Sequence, residues 1–253
     1  MNYERRNEII ALINQKGTIK NQELMDLYNI SIETVRRDLE FLEQRGHLKR
    51  VYGGAIRKEP LSVEPAYNCR SKERAAEKTA IALEAIRLIQ PGEPIYLDLG
   101  TTPATMAENL RNTGPITVFT NSIHSAIALS LHPDCSVIML GGQLRPGELG
   151  LSGFPAEENL EHFNIGKAFI SVGGITEDGI TDYHVGEASL RRRIIRKAGQ
   201  VVVMADHSKF GYCAMNNICS LEEIDVVITD SKTPKKILRQ IEQAGVRVIV
   251  AKE

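Results

Sequence analysis

The feature that most constrains the fold is a series of short apolar runs, rich in valine and isoleucine, that recurs after residue 93. The runs are PIYLDL, ITVFT, CSVIML, KAFISV, QVVVMAD, DVVITD and VRVIVA. Amphipathic segments lie between most of them: Pro103–Leu110, Ile123–Leu131, Gly186–Ala198 and Pro234–Gln243. Continuous apolar strands that alternate with helices are typical of a mostly parallel sheet covered on both faces. The sequence therefore predicts an α/β domain with a Rossmann-like sheet.

The first 58 residues predict a different, smaller α+β fold. An apolar stripe indicates a helix over Tyr3–Gln15, and Thr18–Lys20 follows as a short strand. Asn21 is a suitable N-cap for a second helix, and Ser31 for a third, within ISIETVRRDL. HLKRVYGGAIRK then alternates as a β-hairpin does, with its turn at Gly53-Gly54. Two short helices, a third capped helix and a hairpin make a winged helix-turn-helix.

The third helix separates an inner from an outer face. Val35, Leu39 and Leu42 have helical spacing and are expected to face the core. Glu33 and Arg37 lie opposite them, flanked by Thr34 and Arg36. In such a helix arginines can read base edges and hydroxyls can contact phosphates, whereas the alternative is simply a solvated, charged face. The candidate DNA-binding residues are Lys20, Asn21, Ser31, Glu33, Thr34, Arg36, Arg37, Lys49, Arg50, Tyr52 and Gly53.

The charge distribution agrees with this division. The whole chain has a net charge of -1, but residues 1–58 hold 11 Lys/Arg and 8 Asp/Glu, so they carry +3 and the remainder carries -4. A cationic module on an acidic body fits a nucleic-acid partner. We expect domains at 1–58 and 68–253, a linker at 59–67, and a helix over about Asn68–Ile89.

Several classes of protein are disfavoured. The sequence contains no long uncharged apolar run, so no membrane span is expected. The charged N-terminus MNYERRNEII lacks the apolar core of a signal peptide, so we expect a cytoplasmic protein without a membrane partner. The four cysteines form no C-x-x-C pair and are expected to be reduced and mostly buried. The histidines are scattered without metal-ligand spacing, so neither a metal nor a cofactor is expected.

The segment IYLDLGTTPATM predicts an anion site. The pattern predicts a strand, then a loop, then a helix that has Pro103 near its first residue. Asp98 would end the strand, and Gly100, Thr101 and Thr102 would lie at the helix N-terminus, where N–H groups, hydroxyls and the helix dipole suit a phosphate. It is not a Walker loop, because no Gly-Lys-Ser/Thr follows. The alternative is a plain capped helix.

Other strand ends carry polar or glycine-rich residues that could converge on the same edge of the sheet. Lys209 is a candidate counter-charge for a phosphate. Asp98 and Asp206 could accept hydrogen bonds from sugar hydroxyls. Glu187 could line the entrance of the same pocket. The full set of candidate effector-binding residues is Asp98, Gly100, Thr101, Thr102, Thr120, Asn121, Gly141, Gly142, Gly174, Glu187, Asp206 and Lys209.

The chain resembles the DeoR-type transcriptional regulators over nearly its whole length. The resemblance rests on ERRNEIIALI, ISIETVRRDLEFLEQRG and LKRVYGGA, and on DLGTT, TNS, LGG and ADHSKF further on. It implies a cytoplasmic repressor, occasionally an activator, of sugar-catabolism genes. It also implies a sensor domain similar to ribose-5-phosphate isomerase and glucosamine-6-phosphate deaminase, which binds phosphorylated sugars or related metabolites.

A working isomerase or deaminase fused to a DNA-binding domain is the alternative, and a pure oligomerisation module is a third. Catalysis would need a positioned base, for which Asp98 or Asp206 could be offered. In GGITEDGITDY, however, Asp178-Gly179 is followed by Ile180 where the similar deaminase loop has histidine, and isoleucine transfers no proton. We therefore expect no catalytic residues. The predicted partners are double-stranded operator DNA, a phosphorylated-sugar effector and further copies of the chain, as a homodimer or homotetramer.

Overall fold

The computed structural model describes residues 5, 6, 8–10, 12, 13, 18–45, 47–57, 63–110 and 114–252. The chain divides into two compact units, residues 1–60 and 61–253. The predicted linker at 59–67 lies partly outside the described residues, and its last residue, Tyr67, is already helical. No helix in the described ranges is long and apolar enough to cross a membrane.

The N-terminal unit combines helices with a three-stranded antiparallel sheet. Residues 5, 6, 8–10, 12 and 13 are helical, as predicted for part of Tyr3–Gln15. The elements that follow are β1 (Thr18–Lys20), α1 (Asn21–Tyr28), α2 (Ile32–Gln44), β2 (Leu48–Val51) and β3 (Gly54–Arg57). The strand order is β1-β3-β2. This confirms the predicted helix-turn-helix with a β-hairpin wing.

The sequence around α2 explains where the helix begins and which face it buries. Asn29 adopts the left-handed conformation with φ of 49° and ends α1, a conformation that asparagine tolerates better than most residues. The Ser31 hydroxyl accepts a hydrogen bond from the Thr34 N–H at 3.3 Å and caps α2. Val35 and Leu39 are fully buried in the core of the unit. The predicted inner face is confirmed.

Two local predictions for this unit are wrong. Asn21 is the first residue of α1 and caps nothing with its side chain; Lys20 is the N-cap. The hairpin turn is at Tyr52-Gly53 rather than Gly53-Gly54. Gly54 lies in β3, directly against the backbone of Ile19 in β1, where a Cβ atom would overlap the Ile19 carbonyl oxygen.

The C-terminal unit is built on a seven-stranded sheet in which every pairing is parallel. Its strands are β4 (Ile95–Leu97), β5 (Ile116–Thr120), β6 (Cys135–Met139), β9 (Ile165–Ser171), β12 (Ala198–Met204), β14 (Val226–Asp230) and β15 (Arg247–Ala251). Their order is β15-β14-β12-β9-β4-β5-β6. The predicted parallel sheet is confirmed.

Helices cover both faces of this sheet. They are α3 (Tyr67–Lys72), α4 (Ala75–Ile86), α5 (Thr101–Asn109), α6 (Ile123–Ser130), α7 (Phe154–Glu161), α8 (Val185–Lys197) and α9 (Lys235–Gln243). Alternate strand residues enter different cores. Ala168 and Ile170 lie in one core with Ile194 of α8, while Phe169 lies in the other with Ile81 of α4. Because both faces are covered, the central strands are largely apolar, whereas the edge strands β6 and β15 are only partly buried.

Small antiparallel elements extend from the sheet, and the sequence did not predict them. The hairpin β7 (Gln143–Arg145) and β8 (Gly150–Ser152) follows β6. A second small sheet joins β10 (Gly174–Thr176), β11 (Gly179–Asp182) and β13 (Asn216–Cys219). None of their strands exceeds four residues, so none shows a clear alternation in the sequence.

Two further expectations for this unit are wrong. The predicted helix over Asn68–Ile89 is two helices, because Arg74 takes the left-handed conformation with φ of 53° and interrupts the helical hydrogen bonds. The cysteines are free but not buried: Cys69 and Cys213 are exposed, and Cys135 and Cys219 are half-buried.

Candidate effector pocket and DNA-binding surface

The strand order places a crevice at the junction of β4 and β9. From β4 the chain proceeds outward through β5 and β6, whereas from β9 it proceeds the opposite way through β12, β14 and β15. The loops that leave β4 and β9 therefore diverge to opposite sides. In open α/β sheets, ligands bind at such a point, outside the carboxyl ends of the strands.

A pocket lies at this point. Its lining comes from the carboxyl ends of β4, β9 and β12, which are neighbours in the sheet, and from α3 and α4, which precede the sheet in the chain. The lining residues are Arg70, Arg74, Lys78, Thr101, Thr102, Ser171, Val172, Met204, Asp206 and Lys209. Four of them are basic and one is acidic, so the lining favours an anionic ligand.

The N-terminus of α5 forms one wall of the pocket. Gly100 is its N-cap with φ of 141°, and a Cβ atom there would lie 2.5 Å from Ser171 Oγ. Only glycine fits this conformation and this close approach. Thr101 and Thr102 begin the helix, and both residues line the pocket together with Ser171. First-turn N–H groups and the positive end of the helix dipole add to the attraction for an anion.

Two lysines of the pocket carry charges that burial makes unfavourable. Lys78 is only 4% exposed, and burial lowers the pKa of its ammonium group to about 8. That group donates hydrogen bonds to the carbonyl oxygens of Arg70 and Glu73. Burial also lowers the pKa of Lys209. A bound anion would stabilise the charged form of both lysines.

Arg74 reaches the pocket from a strained position. It is a non-glycine residue in the left-handed region, which costs free energy. Its Nε lies 3.6 Å from Asp206 Oδ1. The same oxygen accepts hydrogen bonds from Ser208, at 2.6 Å from the hydroxyl and 3.0 Å from the N–H. The strain therefore occurs where a guanidinium is held beside the pocket carboxylate.

Four of the twelve predicted effector residues meet in this pocket: Thr101, Thr102, Asp206 and Lys209. Gly100 shapes it through the backbone without lining it. The other seven are not among the lining residues: Asp98, Thr120, Asn121, Gly141, Gly142, Gly174 and Glu187.

Asp98 is held by protein groups. Its Oδ2 accepts hydrogen bonds from Arg191 Nε at 2.6 Å and the Ser171 N–H at 2.9 Å, and the Tyr96 hydroxyl lies 3.2 Å from Oδ1. The single hydroxyl proton of Tyr96 has its shorter contact, 2.8 Å, with Asn121 Oδ1, so Asp98, which is 1% exposed, is held mainly through Oδ2. Glu187 is likewise buried, 2.9 Å from Arg145 Nη1, and burial raises its pKa to about 7.

The remaining predicted residues serve local structure. Thr120 is buried and its hydroxyl accepts from the Ser122 N–H at 3.1 Å. Asn121 Oδ1 lies 2.8 Å from the Tyr96 hydroxyl. The Gly141 N–H donates to Asn159 Oδ1, Gly142 packs on Ser152, and Gly174 packs on Tyr212.

Sequence reasoning missed Arg70, Arg74, Lys78 and Ser171. The first three stand in CRSKERAAEK, where four basic residues occur within nine positions. That density was a usable signal, but the segment lies some twenty residues before the first strand. Only the packing of α4 against the sheet brings it to the strand ends.

In the N-terminal unit the outer face of α2 is available for contacts. Glu33, Arg36 and Arg37 are exposed, and Thr34 is half-buried. Neither arginine pairs with another residue in the described ranges. Lys49 and Arg50 are exposed on β2, and the Tyr52 side chain is fully exposed at the wing tip beside Gly53. Lys20 is exposed before α1, and the Asn21 N–H donates to the Gly53 carbonyl at 2.8 Å.

Asp38, on the same helix, was not predicted to matter. It is 2% exposed and accepts hydrogen bonds from Arg5 Nε and Arg6 Nε, both at 2.7 Å. These contacts tie Arg5 and Arg6 of the first helix to α2, so Asp38 orients α2 while Arg36 and Arg37 are exposed. The buried carboxylate fixes the helix that presents the arginines.

No group of three or more His, Cys, Asp or Glu in the described part of the chain could hold a metal ion.

A winged helix-turn-helix joined to an α/β unit with an anion pocket defines a DNA-binding regulator with a sensor domain. Two family models match: the DeoR-like helix-turn-helix domain over residues 5–60 and the DeoR C terminal sensor domain over residues 73–231. The chain belongs to the DeoR family of transcriptional regulators.

Relatives match over nearly the whole chain. The HTH-type transcriptional regulator GolR of Listeria innocua is 34% identical, with 98% of each chain covered. The HTH-type transcriptional repressor GlcR of Bacillus subtilis is 34% identical, covering 99% of this chain and 96% of its own. The glycerol-3-phosphate regulon repressor of Escherichia coli is 32% identical, covering 93% and 94%. Among solved structures, ribose 5-phosphate isomerase from Methanocaldococcus jannaschii aligns over 53% of both chains, with 18% identity and a TM-score of 0.39.

Proposed function

We propose that the chain is a repressor of a carbohydrate-catabolism operon and that a phosphorylated sugar or related metabolite controls its binding to the operator. The observation that carries the proposal is the pocket at the β4–β9 junction, in which four basic side chains surround the N-terminus of α5. Phosphate, with its high charge and several acceptor oxygens, matches this lining. The relative named for the glycerol-3-phosphate regulon agrees with that class of effector.

On the DNA side, α2 enters the major groove and the wing contacts the backbone. Arg36 and Arg37 are exposed and lack partners in the described residues, so they are available to base edges or phosphates. One such unit binds a few base pairs, and two copies in a homo-oligomer would bind half-sites one or more helical turns apart. The effector acts by favouring the oligomer geometry that misplaces those helices, which requires different ligand affinities in the two states.

We infer that the sensor domain does not catalyse isomerisation or deamination. Asp98 is 1% exposed, does not line the pocket and pairs through Oδ2 with Arg191 at 2.6 Å, and Asp206 accepts two hydrogen bonds from Ser208 on Oδ1. A general base must reach the substrate proton, and the buried Asp98 does not. Ile180, which follows Asp178-Gly179, is buried. Turnover of any bound sugar phosphate by the purified protein would overturn this inference.

A panel of sugar phosphates, tested by thermal shift and by release of bound DNA, examines the proposal. At least one compound is expected to raise the melting temperature of the wild-type protein and to release the DNA. Lys209→Ala should abolish the shift, because it removes a half-buried cation from the pocket lining. Lys197→Ala, which removes an exposed-surface pairing with Glu161, is the matched control and should retain it. A panel without any shift, or a shift that survives Lys209→Ala, would refute the pocket assignment.

A further inference from the structure

Arg70 belongs to two sets of contacts. It lines the anion pocket, yet its Nη2 also pairs with two carboxylates outside the pocket lining, Glu64 at 2.8 Å and Glu148 in the turn between β7 and β8. Its Nε donates to the Pro65 carbonyl at 2.8 Å. Nη1 donates to no atom of the described residues. One guanidinium thus connects the pocket to a pair of carboxylates.

Glu64 holds the segment that follows the DNA-binding unit. The N-terminal unit ends at Pro60, and Glu64 is four residues further on. Its Oε1 pairs with Arg70, and its Oε2 pairs with Arg145 Nη2 at 2.9 Å. With the Pro65 carbonyl, these pairs fasten the entry of the sensor domain to the pocket. Glu64 and Glu148 are buried enough, at 11% and 7% side-chain exposure, that salt screens them little.

An anion in the pocket would compete with these carboxylates. Glu64, Glu148 and a phosphate are all negatively charged, and all three attract the same guanidinium. A guanidinium binds a phosphate most strongly through two parallel N–H donors, which for Arg70 means Nη1 together with Nη2 or Nε. The two N–H groups of Nη2 are engaged by Glu64 and Glu148 and Nε by the Pro65 carbonyl, so a phosphate bound in this way must displace one of these partners. Coupling of this type is reciprocal. The bound ligand weakens the pairing of Arg70 with the carboxylates, and the carboxylates weaken ligand binding by the same factor.

We propose that Arg70 is the switch residue of the sensor domain: an anionic effector draws its guanidinium from Glu64 and Glu148 and thereby loosens residues 63–66, the first described segment that follows the DNA-binding unit along the chain. The proposal rests on the proposed effector pocket. The two carboxylates have separable roles. Glu148 only competes for Arg70, whereas Glu64 both competes and transmits the change, because it alone belongs to the entry segment.

The experiment uses the full-length protein, inorganic phosphate as the ligand, and a DNA duplex selected by the wild-type protein from a random library. Calorimetry gives the phosphate Kd, and fluorescence anisotropy gives the DNA Kd with and without phosphate at constant ionic strength. Glu64→Gln and Glu148→Gln should each tighten phosphate binding by about fivefold or more, the lower end of usual coupling factors. In Glu148→Gln phosphate should still weaken DNA binding as in the wild type, whereas in Glu64→Gln this effect should nearly vanish.

Glu157→Gln is the matched control, because Glu157 pairs with Arg193 at 2.9 Å and does not line the pocket. It should behave as the wild type in both assays. If the wild-type protein binds phosphate but both test variants bind it with unchanged Kd, or if Glu64→Gln keeps the full effect on DNA, the switch is overturned while the pocket stands. If the wild-type protein binds no phosphate, the proposed function fails and the switch fails with it.

Discussion

Anion binding in the pocket is expected to weaken as the pH rises above 8. Burial lowers the pKa of Lys78 to about 8, so its protonated fraction is high at pH 7 and about one tenth at pH 9. An anion binds the protonated form, and the apparent Kd increases as that form is depleted. The Kd should therefore rise about tenfold between pH 7 and pH 9. Lys209, whose pKa burial also lowers, changes the Kd in the same direction.

Sulfate is the suitable probe, because its charge does not change over this range. Calorimetric titrations of the full-length protein at half-unit steps of pH, at constant ionic strength, measure the effect. Lys78→Met should bind sulfate more weakly at pH 7 and show a smaller dependence on pH, since the group with a pKa of about 8 is then absent. A wild-type Kd that changes less than about twofold from pH 7 to pH 9 would refute the reasoning, because a lysine with a pKa near 8 must lose its charge there.

Three substitutions test the remaining assignments. Arg37→Ala should weaken binding of a selected DNA duplex by about 1–3 kcal/mol at fixed salt without changing the free energy of unfolding. Gln44→Ala on the same helix is the control. An equal loss of DNA affinity in both variants would exclude α2 as the helix that reads the bases. Asp38→Ala should lower the free energy of unfolding of the N-terminal unit by about 2–3 kcal/mol, measured by urea denaturation, because two arginines lose their acceptor; an unchanged midpoint would contradict the structural role of Asp38. Arg74→Gly should raise the free energy of unfolding by about 1 kcal/mol by relieving the left-handed conformation, while sulfate binding weakens; a variant that binds sulfate as tightly as the wild type would place Arg74 outside the ligand site.

The sequence alone predicted the elements well wherever a local pattern carried the information. The burial of Val35 and Leu39 follows from helical spacing and the cap at Ser31, and the parallel sheet follows from strands that are apolar on both faces. The start of α5 was also predictable, since Gly100, Thr101 and Thr102 form a local signal for an anion. Errors arose where a single backbone conformation decided whether a helix continues. At Arg74 the left-handed φ divides the predicted helix, and no residue pattern predicts that conformation.

What only the tertiary structure decided is which charged groups meet. Its place at a strand end made Asp98 a reasonable candidate for binding the effector. Its carboxylate instead pairs with Arg191, 93 positions away in the sequence. Arg70 and Lys78 precede the sheet in the chain, and they reach the pocket because α4 packs beside β12 and β14. Periodicity and capping act between near neighbours and are written in the sequence. The pairing of buried charges depends on strand order, which brings distant residues together, and the composition of the pocket follows from that order.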